Sequence, residues 1–162
     1  MERVFTQTFG VAGAIIEKDG KFLLVKESQK KRFDAGKWNH PAGWIEVGEN
    51  PIESVKREVA EETGYSFTPT YVLGIYSLVR SDLLKLGEEI HHPIKIIFIG
   101  TISENRKKDL ADDVTEIKWF SPEEIYEMNI NVLRDIDIKD MIRDYFARKR
   151  YPLELVTHMK SE

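Results

Sequence analysis

The chain has 162 residues, of which 41% are apolar and 32% charged, a globular composition long enough to bury a core without staples. Its formal net charge of -4 argues against a nucleic acid polymer as partner, because such surfaces carry a basic surplus. Cysteine is absent, which excludes disulfides, thiolate metal sites and cysteine nucleophiles and fits a cytoplasmic protein.

The opening MERVFTQTFG lacks the apolar core of a signal peptide, and no apolar run approaches a membrane span, so no membrane partner is expected. Residues 6–17 (TQTFGVAGAIIE) and 21–26 (KFLLVK) flank an Asp19-Gly20 turn and predict a hairpin. Residues 28–37 are polar and read as a loop. Pro41-Ala42-Gly43 then implies a sharp turn of the backbone.

A helix follows with full punctuation. Asn50 suits the N-cap, Pro51 the first turn, Glu53 the returning bond of a capping box, and Gly64 the C-terminal stop. Ile52, Val55, Val59 and Thr63 form its buried stripe. Glu58, Glu61 and Glu62 share one side, where like charges cost a few tenths of a kcal/mol per pair, so a cation is expected there. Residues 70–79, 94–102 and 115–120 read as strands, with a polar loop over 80–93. Ser121-Pro122-Glu123-Glu124 opens a short helix to 128, and a last helix covers 136–148, its end suited by Arg148, Lys149 and Arg150. No repeat or linker interrupts the chain, so one domain over 1–162 is expected, of mixed-sheet α/β or α+β class.

Written as a pattern, Gly43-x5-Glu49-x7-Arg57-Glu58-Val59-x-Glu61-Glu62-x-Gly64-Tyr65 resembles the box of the Nudix (MutT-like) hydrolase family position by position. Tyr65 is the one departure, standing where the family usually has an aliphatic residue. Seven fixed residues at about 7% usage coincide by chance with a probability on the order of 10⁻⁸ per start position. The resemblance implies the Nudix fold, a mixed β-sheet sandwiched between helices, and a metal-dependent hydrolase of phosphoanhydrides in nucleoside di- or triphosphates or related X-diphosphates. It implies Mg²⁺, with Mn²⁺ as a substitute, held by Glu58 and Glu62 with the Ala42 carbonyl as another ligand, and Glu61 as the metal-binding residue for a further ion. Arg57 resembles the residue that orients the glutamates, and Glu49 a supporting one. Such domains are commonly homodimers.

The general base is open: in some family members a box glutamate serves, in others a later loop residue, for which Glu88, Glu89, Asp112, Asp113 and Glu116 are the candidates. Substrate contacts are expected from Trp44, His91, Arg32 and Tyr151. Lys30 and Lys31 are further phosphate candidates, His92 a further contact, and Trp38 and Trp119 further stacking candidates, with Trp119 read as core. The phrases 37–43 (KWNHPAG) and 150–154 (RYPLE) resemble a bacterial Nudix phosphatase subgroup acting on nucleoside tri- and diphosphates and thiamine-type pyrophosphates. A second reading is a catalytically silent Nudix domain used as a ligand sensor. It fits less well, since such modules lose box glutamates or carry a DNA-binding domain.

Overall fold

The computed structural model describes residues 8–31, 34–87 and 90–161. In chain order come β1 (Thr8–Ile15), β2 (Glu17–Lys18), β3 (Lys21–Glu27), β4 (Trp38–Asn39), β5 (Ala42–Trp44) and α1 (Pro51–Thr63). They are followed by β6 (Phe67–Ser77), β7 (His92–Ile102), β8 (Val114–Phe120), α2 (Pro122–Glu127) and α3 (Ile138–Phe146). Short 3-10 turns occupy Ser81–Leu86 and Leu153–Leu155.

The main sheet runs β5-β1-β7-β6, with β1 and β7 parallel and the other pairs antiparallel. One face carries Ala12, Ala14, Val72 and Phe98 against Val55 and Val59 of α1. The other carries Ile15, Leu73, Ile97 and Ile99 against Ile138, Met141 and Ile142 of α3. The expected sheet between helices is therefore present. A second sheet is built on β3, which pairs with β2, β4 and β8.

The leading hairpin differs from expectation in one respect. Asp19 and Gly20 both take positive φ (52° and 78°), the turn suited to a two-residue hairpin, but the strand that pairs with β3 is β2. The expected strand over 6–17 breaks at Ile16, and β1 belongs to the other sheet. Residues 11–16 are buried throughout, so alternation of polarity, the usual cue to a change of partner, is missing.

The caps of α1 also divide. Asn50 Oδ1 accepts the Ile52 N–H (2.9 Å), and the Gly64 N–H donates to the Ala60 carbonyl with Gly64 at φ 76°. Glu53 pairs with Lys56 one turn on (2.8 Å), so the reciprocal capping bond expected of it is replaced by an intrahelical ion pair. In α2 the box is complete, Ser121 and Glu124 each bonding the other's backbone N–H. Beyond α3, Arg150 Nη1 donates to the Tyr145 carbonyl and Lys149 pairs with Asp144 (2.7 Å).

Candidate active site

The site begins at β5, an edge strand. Its register with β1 sets Gly13 opposite Ala42, Ala12 opposite Gly43 and Val11 opposite Trp44. Because strand side chains alternate, Gly43 faces α1 while Ala42 and Trp44 face the other side of the sheet. A Cβ on Gly43 would lie 2.0 Å from Glu58 Cδ. The missing side chain is therefore the space through which the Glu58 carboxylate reaches around the sheet edge. The ladder bonds Ala14 N–H to Pro41 O and Ile45 N–H to Gly10 O leave Ala42 at a non-bonded position, with N–H and C=O turned away from β1. The Ala42 N–H is taken by Glu62 Oε2 (2.9 Å).

Arg57 holds this arrangement. Its Nε and Nη2 bond both oxygens of Glu49 (2.8 and 2.9 Å), and Nη1 bonds Glu58 Oε1 (2.6 Å) and, more loosely, Glu61 Oε2 (3.3 Å). Nη2 also donates to the Trp44 carbonyl (3.1 Å), tying helix to edge strand. The paired guanidinium holds the Glu49 carboxyl down at about 2. Burial pushes Glu58 up against the same arginine's opposing pull. Glu62, 6% exposed, is pushed well above the usual carboxylate range by burial, and the charges of Glu27, Glu58 and Asp113 add to it.

A cation here would relieve both the desolvation and the mutual repulsion. The donors are hard oxygens on one strand edge and one helix face, which fits a divalent ion of the magnesium type. Among the described residues no three acidic or histidine side chains converge as a complete cage. An ion that keeps several waters and shares backbone and phosphate oxygens needs none.

The carboxylates open onto a cavity of about 390 Å³. Of the expected contacts, Trp44 and His91 line it, as do Lys31 and Asp113. Trp44 is 57% exposed and stacks on Phe9 with centroids 4.5 Å apart, and His91 meets Phe9 edge-on at 6.0 Å. Lys31 pairs with the buried Glu27 and stands 3.6 Å from Asp113.

Other expectations fall elsewhere. Glu61 is 49% exposed at the side chain and lies outside the cavity lining, because i+3 from Glu58 turns it past the strand edge toward solvent. Tyr151 does not reach the cavity. It pairs with Val72 on the outer edge of β6, through Val72 N–H to Tyr151 O (2.8 Å) and Tyr151 N–H to Val72 O (2.9 Å), and lines a separate groove with Ile75 and Leu155. The 150–154 phrase is a packing device that covers an edge strand. We expect Tyr151→Phe to leave steady-state kinetics within about twofold of the parent, since this surface position touches no lining residue; a tenfold change in KM would return it to the site.

Trp38 and Trp119 pack in the two cores, and His92 bonds Ser77 (2.7 Å). Asp112 and Lys30 are exposed, and Glu116 pairs with Lys26 (3.4 Å). Arg32, Glu88 and Glu89 lie outside the described residues.

The lining also includes Asn39, from the 37–43 phrase, and Phe9, Arg80, Lys95, Arg134 and Asp135, none of which the sequence singled out. One signal was available. Lys95 is the lone charge in the strand run IKIIFIGTI, a position that in a buried strand requires partners.

Fold and cavity together define an α+β protein with a carboxylate-edged pocket of small-molecule size. The model of the NUDIX domain family matches residues 6–140. Phosphatase NudJ of Escherichia coli (strain K12) is 29% identical over 143 residues, covering 88% of this chain and 86% of that protein. The NUDIX hydrolase from Nitrosomonas europaea superposes with a TM-score of 0.82 at 33% identity, over 96% of this chain and 100% of that one. The MutT protein from Methanosarcina mazei Go1 does so at 0.71 and 28% identity, over 91% and 100%. The chain belongs to the Nudix family, and is a hydrolase of the Nudix pyrophosphohydrolase type.

Proposed function

We propose that the protein is a Mg²⁺-dependent hydrolase, with Mn²⁺ able to substitute, that cleaves a phosphoanhydride bond of a nucleoside di- or triphosphate or related X-diphosphate by attack of water at phosphorus. The observation that carries this is the convergence of Glu58 and Glu62 on the Ala42-Gly43 edge, at the wall of the cavity.

In this reading Glu58, Glu62 and the Ala42 carbonyl hold the ion. When bound, such an ion neutralises phosphate charge and lowers the pKa of a coordinated water. Arg57 holds Glu58 at the strand edge, the Ala42 N–H holds Glu62, and Glu49 keeps Arg57 in place. Lys31 meets a phosphate oxygen at the cavity wall. Asp113, the one described loop candidate for the base that lines the cavity, accepts the proton of the attacking water. Trp44 stacks on the group attached to the diphosphate, with His91 beside it. Glu61 acts through Arg57 from outside the cavity.

The proposal includes one Nudix domain over the chain, a cytoplasmic location, and a small-molecule substrate in place of a nucleic acid polymer or membrane. The net charge of -4 and the cysteine-free sequence support it; no helix among the described residues is long and apolar enough to cross a membrane. A homodimer is part of the reading, and sedimentation at micromolar concentration tests it.

The deciding experiment is a panel of nucleotides, dinucleoside polyphosphates, nucleotide sugars and thiamine pyrophosphates with Mg²⁺ or Mn²⁺, scored for phosphate and for pyrophosphate. Given the likeness to Phosphatase NudJ, we expect release of single phosphates from tri- and diphosphates. Exclusive release of pyrophosphate from nucleoside triphosphates would instead make it a triphosphate pyrophosphohydrolase. Binding without turnover of any member would favour the sensing module.

A further inference from the structure

The cations of the cavity wall are not alike. Arg80 is fully engaged: Nε faces Asp82, Nη1 bonds Asp34 and Asp135, and Nη2 bonds Asp34 and Asp82. Lys95 is 2% exposed and bonds Asp135 Oδ2 (2.7 Å) and Asp137 Oδ1 (3.1 Å). Arg134 is different. Among the described residues its guanidinium makes one hydrogen bond, from Nη1 to Glu27 Oε1 (2.6 Å). Its Nε stands 3.6 Å from Asp34 and 3.9 Å from Asp135, beyond hydrogen-bond reach. Both N–H groups of Nη2 are therefore left over, in a side chain that lines the cavity. Lys31, also on the lining, pairs with the other oxygen of Glu27, Oε2.

Glu27 thus holds two cations at once. It ends β3 at a register shift against β8 and is 2% exposed, behind the wall and outside the lining. Lys31 stands on the loop after β3 and Arg134 on the segment before α3, neither of them in a strand or helix. Long side chains on such segments keep their rotamer freedom unless something anchors them. Glu27 is the carboxylate these two share.

As a purely stabilising charge Glu27 is badly placed. A buried carboxylate is costly to desolvate. Burial pushes the Glu62 carboxyl up, and among the neighbouring charges Glu27 adds most to that shift. What the position supplies is aim, since two donors from separate loops are fixed on one carboxylate close to Glu62.

We infer that Glu27 is a positioning residue: from behind the cavity wall it sets Lys31 and Arg134 as a two-pronged grip on one phosphate of the substrate. It touches no substrate atom itself. Arg134 offers Nη2 and Lys31 the remaining N–H of its ammonium to oxygens of the same phosphate, as charge-assisted hydrogen bonds. This rests on the phosphoanhydride reading of the cavity.

The test measures binding of methylenediphosphonate, a diphosphate that water cannot cleave, by titration calorimetry in saturating Mg²⁺. Steady-state kinetics follow on the panel member that the parent turns over fastest. The proteins are the parent, Glu27→Gln, Glu27→Asp, Lys31→Met, Arg134→Ala, and Glu27→Gln combined with Arg134→Ala; melting curves verify folding. The sign of the effect is diagnostic. A buried anion repels a phosphate, so if Glu27 acted by charge alone, Glu27→Gln would tighten binding. Positioning predicts about tenfold weaker binding in Glu27→Gln, the loss that goes with a hydrogen bond to a charged group. Lys31→Met and Arg134→Ala should each weaken binding by at least about tenfold in the parent. Added to Glu27→Gln, Arg134→Ala should cost less than about threefold more, because the two changes act on one contact. In Glu27→Gln, KM should rise about tenfold with kcat within about threefold, as for a contact made equally in the ground and transition states. A merely structural role would lower the active fraction, and so kcat, and leave KM standing. Unchanged or tighter binding in Glu27→Gln, or independent, multiplicative effects of Glu27→Gln and Arg134→Ala, overturns the inference. Where Glu27→Gln does not fold, Glu27→Asp decides, since it keeps the charge and shortens the reach: weaker binding supports positioning, and parental affinity overturns it. If no panel member is turned over, the hydrolase reading fails on its own and methylenediphosphonate still decides the grip. A parent that does not bind it at about millimolar concentration overturns the inference.

Discussion

Glu58→Gln and Glu62→Gln are each expected to lower Mg²⁺-dependent turnover by at least about 100-fold, the upper range for a residue that merely supports a metal ligand. The two should part company in stability. Glu62 is buried, and its carboxyl is pushed well above the range it has in the unfolded chain. With the folded pKa raised, the penalty for Glu62 is absent below the unfolded value near 4.5 and grows as pH rises above it. In metal-free buffer at pH 7, Glu62→Gln therefore removes an unfavourable charge and keeps an oxygen to accept the Ala42 N–H. The variant should melt above the parent in EDTA at pH 7 and no higher than it near pH 4. In saturating Mg²⁺ the advantage should shrink or reverse, because only the parent gains from the ion. Full activity of either glutamine variant would remove Glu58 or Glu62 from the ligand set. A metal-free Glu62→Gln protein that melts below the parent at pH 7 would remove the electrostatic account.

Gly43→Ala should be nearly as damaging, although alanine is the smallest change available. Gly43 has no positive φ to protect; what matters is space, since its Cβ would fall 2.0 Å from Glu58 Cδ and 2.2 Å from both carboxylate oxygens. Either the glutamate swings off the strand edge or the strand shifts. Swinging breaks the 2.6 Å bond to Arg57 and withdraws Glu58 from the cavity. Shifting strains the β1–β5 pairing and costs about 1–3 kcal/mol, as overpacking does. We expect loss of most activity together with a measurable fall in melting temperature. Adding Glu58→Gln to Gly43→Ala should lower activity by much less than Glu58→Gln does in the parent, because the two changes act on one contact. Independent, multiplicative effects would show that Gly43 serves something other than Glu58.

Much of α1 was legible because its information is local. Asn50, Pro51 and Gly64 are start and stop signals read by the backbone within one turn, and the placing of Glu58 and Glu62 on one side follows from 3.6 residues per turn. Strands β6, β7 and β8 were also found, within a few residues at their ends. The sheet partners were not. A parallel pair such as β1 with β7 joins residues more than eighty positions apart, and the unbroken apolar run over 11–16 hid the point where the chain passes from one sheet to the other.

The site divides along the same line. The helix pattern by itself determined which carboxylates stand together, which arginine can reach them, and which family carries that spacing. Only the tertiary structure decided that Glu61 faces solvent, that Tyr151 covers β6 outside the cavity lining, and that Phe9, Lys95 and Asp135 line one cavity with Trp44. Those residues come from β1, β7 and the segment before α3, and their meeting depends on sheet register, which no local pattern of side chains encodes.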